Sequence, residues 1–342
     1  MGTSPSHRPA VTPSPLAPPD PFPPTREEAL ARIARIDPQA YARTRNALDG
    51  AVTRLSPYIT HGLVSLPEVI EGVCAARPDW QPRVQDRLVF ELGWREYFRH
   101  VREHRGDAIL HALHAGPLPD AAYARELPDD VREGRTGVPA IDRGIAALLT
   151  TGHLHNHARL WLASYLVHLR KVHWRTGADW MLAHLLDGDL ASNHLSWQWV
   201  AGTGSHQPYL FDAANVARHA PPPWHSPGTP IDLDREALEA LARSRQPVRT
   251  RPLAQGLAPP PVLRDPPADL GCGAADDALA ERLRGQDVWL VHPWALGEVP
   301  AGWLPVGVLI DEWHAAWPWS AARWRFVGAR MAALARWRAR AG

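Results

Sequence analysis

The chain has 342 residues with 37 basic and 36 acidic side chains, so its net charge of +1 predicts no general attraction to nucleic acid. This length allows one large domain or two smaller ones, each with a substantial core. Two cysteines are too few for a disulfide framework, and no apolar run approaches the roughly 18 residues that a membrane span requires. We therefore expect a cytoplasmic protein with no membrane contact.

Tryptophan and arginine are the unusual residues of this composition. There are 16 tryptophans but only five phenylalanines, and Lys171 is the only lysine among the 37 basic residues. Arginine pairs with phosphates and stacks on aromatic faces, and tryptophan either fills a core or stacks on planar ligands. A genome rich in arginine codons explains the arginines equally well, so composition leaves these alternatives open.

In chain order, the sequence first predicts a disordered tail over residues 1–24, which contain nine prolines. Thr25, followed closely by two glutamates, predicts the N-terminal cap of a helix. From there to residue 220, apolar residues recur three and four apart, and no stretch alternates in the manner of a strand. The clearest predicted helices span residues 66–73, 84–101, 139–149, 153–170 and 179–186. We therefore predict an all-helical unit over residues 25–220.

The rest of the chain has a different character. Residues 221–275 are dense in proline and predict a linker. After it, residues 288–291 and 306–310 are rich in β-branched side chains and predict strands, and residues 320–339 predict a helix. Residues 276–342 are therefore expected to form a small C-terminal α/β appendage, and the fold class of the whole chain is mainly α.

Four segments carry polar residues in patterns that suit ligand binding. In the first, Thr53, Arg54, Leu55 and Ser56 stand at a turn before a predicted helix. Backbone N–H groups at such a turn can hold a phosphate, and Arg54 adds positive charge. An ordinary helix cap is the alternative interpretation.

The second segment contains Glu91, Trp94 and Arg95, which share one face of a predicted helix. A carboxylate and an indole on one face suit hydrogen bonding and stacking against a heterocyclic base. The alternative is a structural ion pair between Glu91 and Arg95, which are four residues apart.

The third segment, residues 152–159, contains three histidines at alternate positions. On a helix this spacing turns them to different faces, whereas zinc sites on helices use histidines four apart, so we expect no metal here. Asn156 and Arg159 are three residues apart and share a face, from which both can donate hydrogen bonds to the polar edge of a ring system.

The fourth segment places Asp187 and Asp189 on either side of a glycine, followed by Asn193 and the run Trp-Gln-Trp. Asp187 is expected to pair with Arg159, and such a pair beside a redox-active ring would tune its protonation. The remaining ligands of a calcium loop are missing, so we do not expect calcium.

In this order, the four segments resemble the FAD-binding domain of the DNA photolyase/cryptochrome family. The resemblance covers roughly residues 26–220 and rests on the runs TRLSPYITHGLVS, ELGWREYFRH, GVPAIDRGIAALLTTGHLHNHAR and DGDLASNHLSWQW. It implies an all-helical photolyase-type fold and FAD as cofactor. It also implies that the family's amino-terminal α/β antenna domain is missing.

The resemblance assigns roles to individual residues. The positions that match cofactor contacts are Tyr41, Thr53, Arg54, Leu55, Ser56, Arg95, Asn156, Arg159, Asp187, Asp189 and Asn193. The positions that match the catalytic face toward a flipped pyrimidine dimer are Glu91, Trp94, Trp199 and Asn156. Trp197 and Trp174 match the proximal and middle members of the tryptophan chain that photoreduces the flavin.

The implied activity is light-driven electron transfer from reduced flavin to a cyclobutane pyrimidine dimer, with damaged DNA as the partner and no metal. Several positions depart from the family pattern, among them Val52, Leu88, His153 and Leu160. Two alternatives therefore stay open, namely a cryptochrome-like blue-light photoreceptor without repair activity and a structural relative that binds no flavin.

Overall fold

The computed structural model describes residues 21–341, so most of the tail predicted over residues 1–24 lies outside the described residues. The helices are α1 Arg26–Arg35, α2 Pro38–Thr44, α3 Ser56–Thr60, α4 Leu66–Ala76, α5 Arg87–Arg105, α6 Asp129–Arg132, α7 Pro139–Thr151, α8 Asn156–Ser164, α9 Trp174–His184, α10 Leu190–Ala201, α11 Ala213–His219, α12 Arg235–Arg243, α13 Asp277–Leu283, α14 Asp311–Ala316 and α15 Ala321–Leu334. The strands are β1 Val262–Leu263, β2 Gly273–Ala274, β3 Val288–Val291, β4 Leu304–Ile310, β5 Trp319–Ser320 and β6 Trp337–Ala341. The chain is mainly helical up to residue 243, and a smaller α/β part follows, which confirms the predicted fold class.

Local signals explain where several helices begin. Thr25 caps α1, since its hydroxyl accepts from the backbone N–H of Glu28 at 3.2 Å, and this confirms the predicted start. Ser65 and Glu68 form a capping box at the start of α4. Helix α5 begins at Arg87, three residues later than predicted, because a turn over residues 83–86 precedes it.

Two helices begin where the sequence did not predict a start, because histidines cap them. The ring of His155 accepts from the backbone N–H two residues on, so α8 begins at Asn156 and not at residue 153. His173 caps α9 in the same way, so that helix begins at Trp174, five residues before the predicted start. Helix α8 also ends early, at Ser164, and continues as one π-helical turn over Tyr165–Leu169.

The predicted linker over residues 221–275 contains a helix that belongs to the helical core. Leu238 and Ala242 of α12 are buried. The ammonium group of Lys171 joins α12 to the π-helical turn, since it donates to the carbonyl oxygens of His168 at 2.6 Å and Leu241 at 2.7 Å. This part of the proline-rich stretch is therefore not a free linker.

The C-terminal part is built on a four-stranded parallel sheet in the order β2-β6-β4-β3. The predicted helix over residues 320–339 is wrong at its end, because α15 stops at Leu334 and β6 follows at Trp337. Strand β6 is paired on both sides, and this long-range pairing overrides the local helical pattern. The strands predicted over 288–291 and 306–310 are confirmed as β3 and β4, and β4 starts two residues earlier than predicted.

The two parts of the chain share a hydrophobic core. Helices α1, α3, α4 and α15 pack together with β3, β4 and β5, and a second core lies among α7 to α12. At the shared core, the rings of Tyr58 and Phe326 are 5.8 Å apart. The C-terminal part is therefore packed into the body of the protein. Among the described helices, the longest has 19 residues, and none combines the length and apolar character of a membrane span.

This shared core predicts that both parts unfold together. Trp324 of α15 is 1% exposed, and replacing it with alanine should lower the free energy of unfolding by about 3–5 kcal/mol because a large cavity remains. Urea unfolding followed by circular dichroism, which reports mainly on the helical part, should shift as a single transition. The matched control is Trp303→Ala, since Trp303 is 43% exposed and its loss should cost less than about 1 kcal/mol. Two separate transitions would contradict a common core.

Candidate functional site

A cavity of about 300 Å³ lies in the helical part, and polar side chains from six regions of the chain face it. Its walls are α2, the turn before α3, α5, α8 with the turn that leads into it, the end of α9 with the loop that follows, and α10. The lining residues are Tyr41, Arg45, Val52, Thr53, Arg54, Ser56, Glu91, Arg95, His153, Leu154, His155, Asn156, Arg159, Leu160, Ala163, Met181, Leu185, Asp187, Asp189, Ser192, Asn193, Ser196, Trp197 and Val200.

Most of the residues chosen from the sequence meet at this cavity. Those that line it are Tyr41, Thr53, Arg54, Ser56, Glu91, Arg95, Asn156, Arg159, Asp187, Asp189, Asn193 and Trp197. They come from positions up to 156 residues apart in the chain, so their convergence is a result of the fold. The predicted placement of Asn156 and Arg159 on one helix face is confirmed, since both line the cavity from α8.

Four predicted residues do not line this cavity. The side chain of Leu55 is 1% exposed and packs in the shared core, and Trp174 is buried beside α10. Trp94 and Trp199 are 42% and 45% exposed at the surface, where Trp94 contacts other rings of α5 and Trp199 contacts Tyr209. Contact between these four side chains and a ligand in the cavity therefore remains a prediction.

A buried ion pair forms the back of the cavity. A guanidinium nitrogen of Arg159 lies 2.7 Å from a carboxylate oxygen of Asp187, which confirms the predicted pair. The second guanidinium contact of Arg159 is a 2.8 Å hydrogen bond to the carbonyl oxygen of Leu154. Burial alone would raise the pKa of Asp187, but the charge of Arg159, the influence of His153 and the hydrogen bonds to the carboxylate together outweigh burial and hold that pKa well below its ordinary value. Asp187 is therefore a carboxylate at neutral pH.

The loop that carries Asp187 is held from behind by three side chains. The carbonyl oxygen of Leu186 lies 2.8 Å from the ring of His61. The carbonyl oxygen of Asp187 accepts from the hydroxyl of Thr60 at 3.3 Å, and that of Gly188 accepts from the guanidinium of Arg323 at 2.8 Å. Burial lowers the pKa of His61 to about 3, so its ring is neutral and donates from one nitrogen only. The loop is thus fixed on the side that faces away from the cavity.

Arg323 comes from α15, in the C-terminal part. Its side chain is buried, and its guanidinium carbon lies 3.9 Å from the ring centre of Trp319. Burial lowers the pKa of Arg323 to about 9, and the nearby carboxylates of Asp187 and Asp189 oppose that decrease, so the group is charged at neutral pH. The C-terminal part therefore places a positive charge directly behind the two acids. No sequence pattern identified this residue, because it acts across more than 130 positions.

The glycine between the two acids is required by space. A β-carbon on Gly188 would lie 2.5 Å from a guanidinium nitrogen of Arg323 and 2.8 Å from the carbonyl oxygen of Leu182. Gly152, which ends α7 with a φ of +66°, meets the same loop, and its carbonyl accepts from the backbone N–H of Leu186 at 2.8 Å. These two close approaches bring the turn into α8 against the acid-bearing loop.

Helix α10 adds a second acid and an amide to the cavity. Asp189 caps the helix by accepting from the backbone N–H of Ser192 at 2.8 Å. Burial would raise its pKa, but the charge of Arg95 and these hydrogen bonds lower it overall. Asn193 donates from its amide nitrogen to the carbonyl of Ala178 at 2.9 Å, which fixes its side chain at the wall.

The two charged side chains that α5 contributes to the cavity have partners on other elements. Glu91 pairs with Arg45 at 3.0 Å and not with Arg95, so the alternative ion pair within α5 is wrong. Arg95 instead contacts the hydroxyl of Thr60. The pair between Arg45 and Glu91 joins residues 46 positions apart in the chain, so no local sequence pattern predicts it.

His153 and His155 also line the cavity, and the sequence did not identify them as ligand-binding residues. Burial lowers the pKa of each ring to about 4, so both rings are neutral at pH 7.

A second cavity of about 230 Å³ adjoins the first and shares four lining residues with it, namely Tyr41, Val52, Thr53 and Arg54. Arg32 and Arg35 of α1 also line this second cavity. The backbone of Arg54 is left-handed, with a φ of +51°, a conformation uncommon outside glycine that occurs often in binding turns. Three arginines, Arg32, Arg35 and Arg54, therefore line the second cavity.

The charges define the class of ligand that this site accepts. Four arginines and three carboxylates line the main cavity, and its two histidines are neutral. The arginines suit an anion such as a phosphate, whereas the amides and acids suit the donors and acceptors at the edge of a heteroaromatic ring. A nucleotide-type cofactor with both features fits this arrangement.

Comparison with known proteins gives the family. Residues 88–221 match the family model described as the FAD binding domain of DNA photolyase. The chain is 35% identical over 175 residues to a chloroplastic/mitochondrial cryptochrome DASH of Oryza sativa subsp. japonica, an overlap of 49% of this chain and 29% of that protein. It is 36% identical over 158 residues to a deoxyribodipyrimidine photo-lyase of Streptomyces griseus, an overlap of 45% of this chain and 33% of that protein.

A solved structure agrees with the sequence relatives. A cryptochrome of Synechocystis sp. PCC6803 superposes with a TM-score of 0.52 at 26% identity, over 57% of this chain and 43% of that chain. Residues 88–221 therefore match the FAD binding domain of DNA photolyase, and about half of the chain is similar to photolyases and cryptochromes. The chain spans about a third of the length of the curated relatives that it matches.

The ion pair predicts how stability depends on pH. Because the folded-state pKa of Asp187 lies below the unfolded value of about 3.9, its contribution is complete above that pH and is lost as the pH falls toward the folded-state pKa. Asp187→Asn should lower the free energy of unfolding at pH 7 by roughly 1.5–3 kcal/mol and should flatten its decline below about pH 4. Urea unfolding at pH 7, 4 and 3 measures both effects.

The control for this measurement is Glu312→Gln, which removes a solvent-exposed carboxylate. Its stability should follow the parent protein across the same pH range. Parallel declines for the parent and Asp187→Asn below pH 4 would show that the Asp187 carboxylate has no stabilising partner.

Proposed function

We propose that the protein binds FAD in this cavity and uses it for light-driven electron transfer to cyclobutane pyrimidine dimers in DNA. The observation that supports the proposal best is the meeting, in one cavity, of residues chosen from four separate sequence segments. These segments resemble the same family that the domain match identifies.

The residues around the cavity fit a flavin nucleotide. Two buried polar atoms at its wall have no hydrogen-bond partner among the described residues, namely Oδ1 of Asp187 and Nε of Arg95. Buried polar groups are normally satisfied, so acceptors and donors left over at a cavity wall suit a polar ligand. A flavin ring has both donors and acceptors along its edge. Arg54 would provide a positive charge and Ser56 a hydroxyl group to the diphosphate of the cofactor.

Each group in the wall then has a distinct role. Arg159 and Asp187 would orient the polar edge of the ring, and Arg323 would hold Asp187 and Asp189 in place from behind. Asn156 and Asn193 would provide amides at the ring, while Thr53 would hold the phosphates. FAD, when bound, supplies an electron under blue light, and the protein supplies position and electrostatics.

The substrate would approach from the surface near Glu91, Trp94 and Trp199. A dimer must leave the base stack to reach a cofactor, and exposed indoles provide stacking faces for an extruded base. Glu91 lines the cavity while Trp94 and Trp199 are largely exposed, which suits a path from solvent inward. Trp197, at the cavity wall, and Trp174, buried behind it, would pass electrons toward the cofactor during photoreduction.

A second candidate function is blue-light sensing without repair. It is favoured by the cryptochromes among the relatives and by three departures from the family pattern, Leu88, His153 and Leu160. Leu88 is buried in the shared core, and Leu160 lines the cavity. These positions are aromatic or methionine in the pattern that the sequence resembles.

Flavin retention is the first test. Protein purified in the dark should be yellow, and Asp187→Ala should reduce its flavin content at least about tenfold, because Arg159 then lacks its partner and the ring edge loses an acceptor. Absorbance at 450 nm relative to 280 nm measures this, with circular dichroism as a check on folding. The matched control is Asp232→Ala, an exposed aspartate far from the cavity. A folded Asp187→Ala protein with full flavin content would contradict the assignment.

Dimer repair is the second test and separates the two candidate functions. Reduced protein under blue light should remove cyclobutane dimers from ultraviolet-damaged single-stranded oligothymidine, measured as recovery of absorbance at 260 nm. Trp199→Ala should weaken dimer binding by about 1–3 kcal/mol and leave flavin content unchanged. Trp303→Ala, which removes another exposed indole, is the control. Flavin-loaded protein that removes no dimers would support the photoreceptor.

A further inference from the structure

A group of potential metal ligands lies on the C-terminal half of α5. His100, Glu103 and His104 each offer one ligand atom, and these three atoms lie within 4.8 Å of one another. All three side chains are exposed, and the two histidine rings are 4.3 Å apart between centroids. By helical spacing the two histidines lie on the side of α5 opposite Arg95, which lines the cofactor cavity.

The spacing of this group is the one that chelates metals on helices. Histidines four residues apart stand one turn above each other on a helix, which is the spacing of helical zinc ligands. Zinc bonds of about 2.0–2.1 Å require ligand atoms roughly 3.3 Å apart in a tetrahedral site. Exposed side chains are free to rotate about their χ angles, and such rotation would bring the ligand atoms closer together.

A hydrogen bond fixes the tautomer of one of the two histidines. Nδ1 of His104 lies 2.8 Å from the carbonyl oxygen of His100, and since a carbonyl only accepts, Nδ1 carries the proton. This leaves the lone pair on Nε2, which is free for a metal. Metal-bound histidines commonly donate their second nitrogen to a carbonyl or a carboxylate in this way.

The neighbouring positive charges are directed elsewhere. Arg99 contacts Glu96 at 3.4 Å and lies 3.9 Å from Asp189, on the cavity side of the helix. Arg102 lies over the ring of Trp313, 5.3 Å from its centre. Two of the arginines closest in sequence therefore have other partners, and the carboxylate of Glu103 stays available to a cation.

We propose that His100, Glu103 and His104 bind a divalent transition-metal ion, with Zn²⁺ as the best match to two imidazoles and one carboxylate. Three protein ligands leave at least one coordination position for water or for an incoming anion. The site is built from one helix and does not depend on the proposed flavin function.

Titration of the full chain with Zn²⁺ in an isothermal calorimeter tests the proposal. Binding should be close to one ion per chain, and His104→Ala should weaken it by at least about tenfold because a chelating ligand is lost. His111→Ala removes an exposed histidine outside the group and should leave the affinity unchanged. Titration with Co²⁺ gives a second measurement, since visible absorption bands should appear in the parent protein and be lost in His104→Ala.

Flavin content, measured on the same samples, should be identical in the parent protein and both variants. Equal Zn²⁺ affinity of the parent and His104→Ala would overturn the proposal, because binding would then occur elsewhere, for example at a cysteine. Absence of any Zn²⁺ binding to the parent would also overturn it, and neither result would affect the flavin assignment.

Discussion

The ion pair between Asp187 and Arg159 is the interaction on which the cavity depends. A carboxylate taken out of water is costly unless a charge and hydrogen bonds compensate it, and Arg159 provides both at 2.7 Å. Because Arg159 is also bonded to the carbonyl of Leu154, the pair connects α8, the turn before it and the loop that precedes α10. These three segments form much of the cavity wall, so its shape follows from satisfying one buried charge.

The same loop is constrained from the opposite side, and this makes the C-terminal part integral to the site. Arg323 donates to the carbonyl of Gly188, while the ring of His61 lies between the carbonyls of Leu186 and Pro293 and packs the loop against the segment after β3. A loop fixed on both faces loses little further conformational entropy when a ligand binds, which favours affinity. The α/β part therefore acts as a rear support of the cofactor cavity, although it lies outside the segment that matches the family model.

The sequence predicted the features that depend on neighbouring residues of the chain, and it missed those that depend on contacts between distant residues. Helical periodicity predicted the helical part, and the resemblance selected most of the cavity wall, including the Asp187–Arg159 pair. The starts of α8 and α9 were missed because histidine is an unusual cap, and β6 was missed because its pairing with β2 and β4 outweighs a local helical pattern. The role of Arg323 could not be predicted, since it contacts a glycine 135 positions away.

The choice between repair and sensing depends on the rim of the cavity. The ion pair and the amides of the wall would hold a flavin equally well in either case, so they do not discriminate between the two functions. A substrate base needs exposed stacking surfaces near the opening, and the described structure leaves Trp94 and Trp199 exposed. Trp94 lies against Phe90 and Tyr97, which are exposed as well, and such contiguous apolar patches usually mark contact sites. Under the proposed repair function, an extruded pyrimidine dimer is the partner whose planar groups would stack on these indoles.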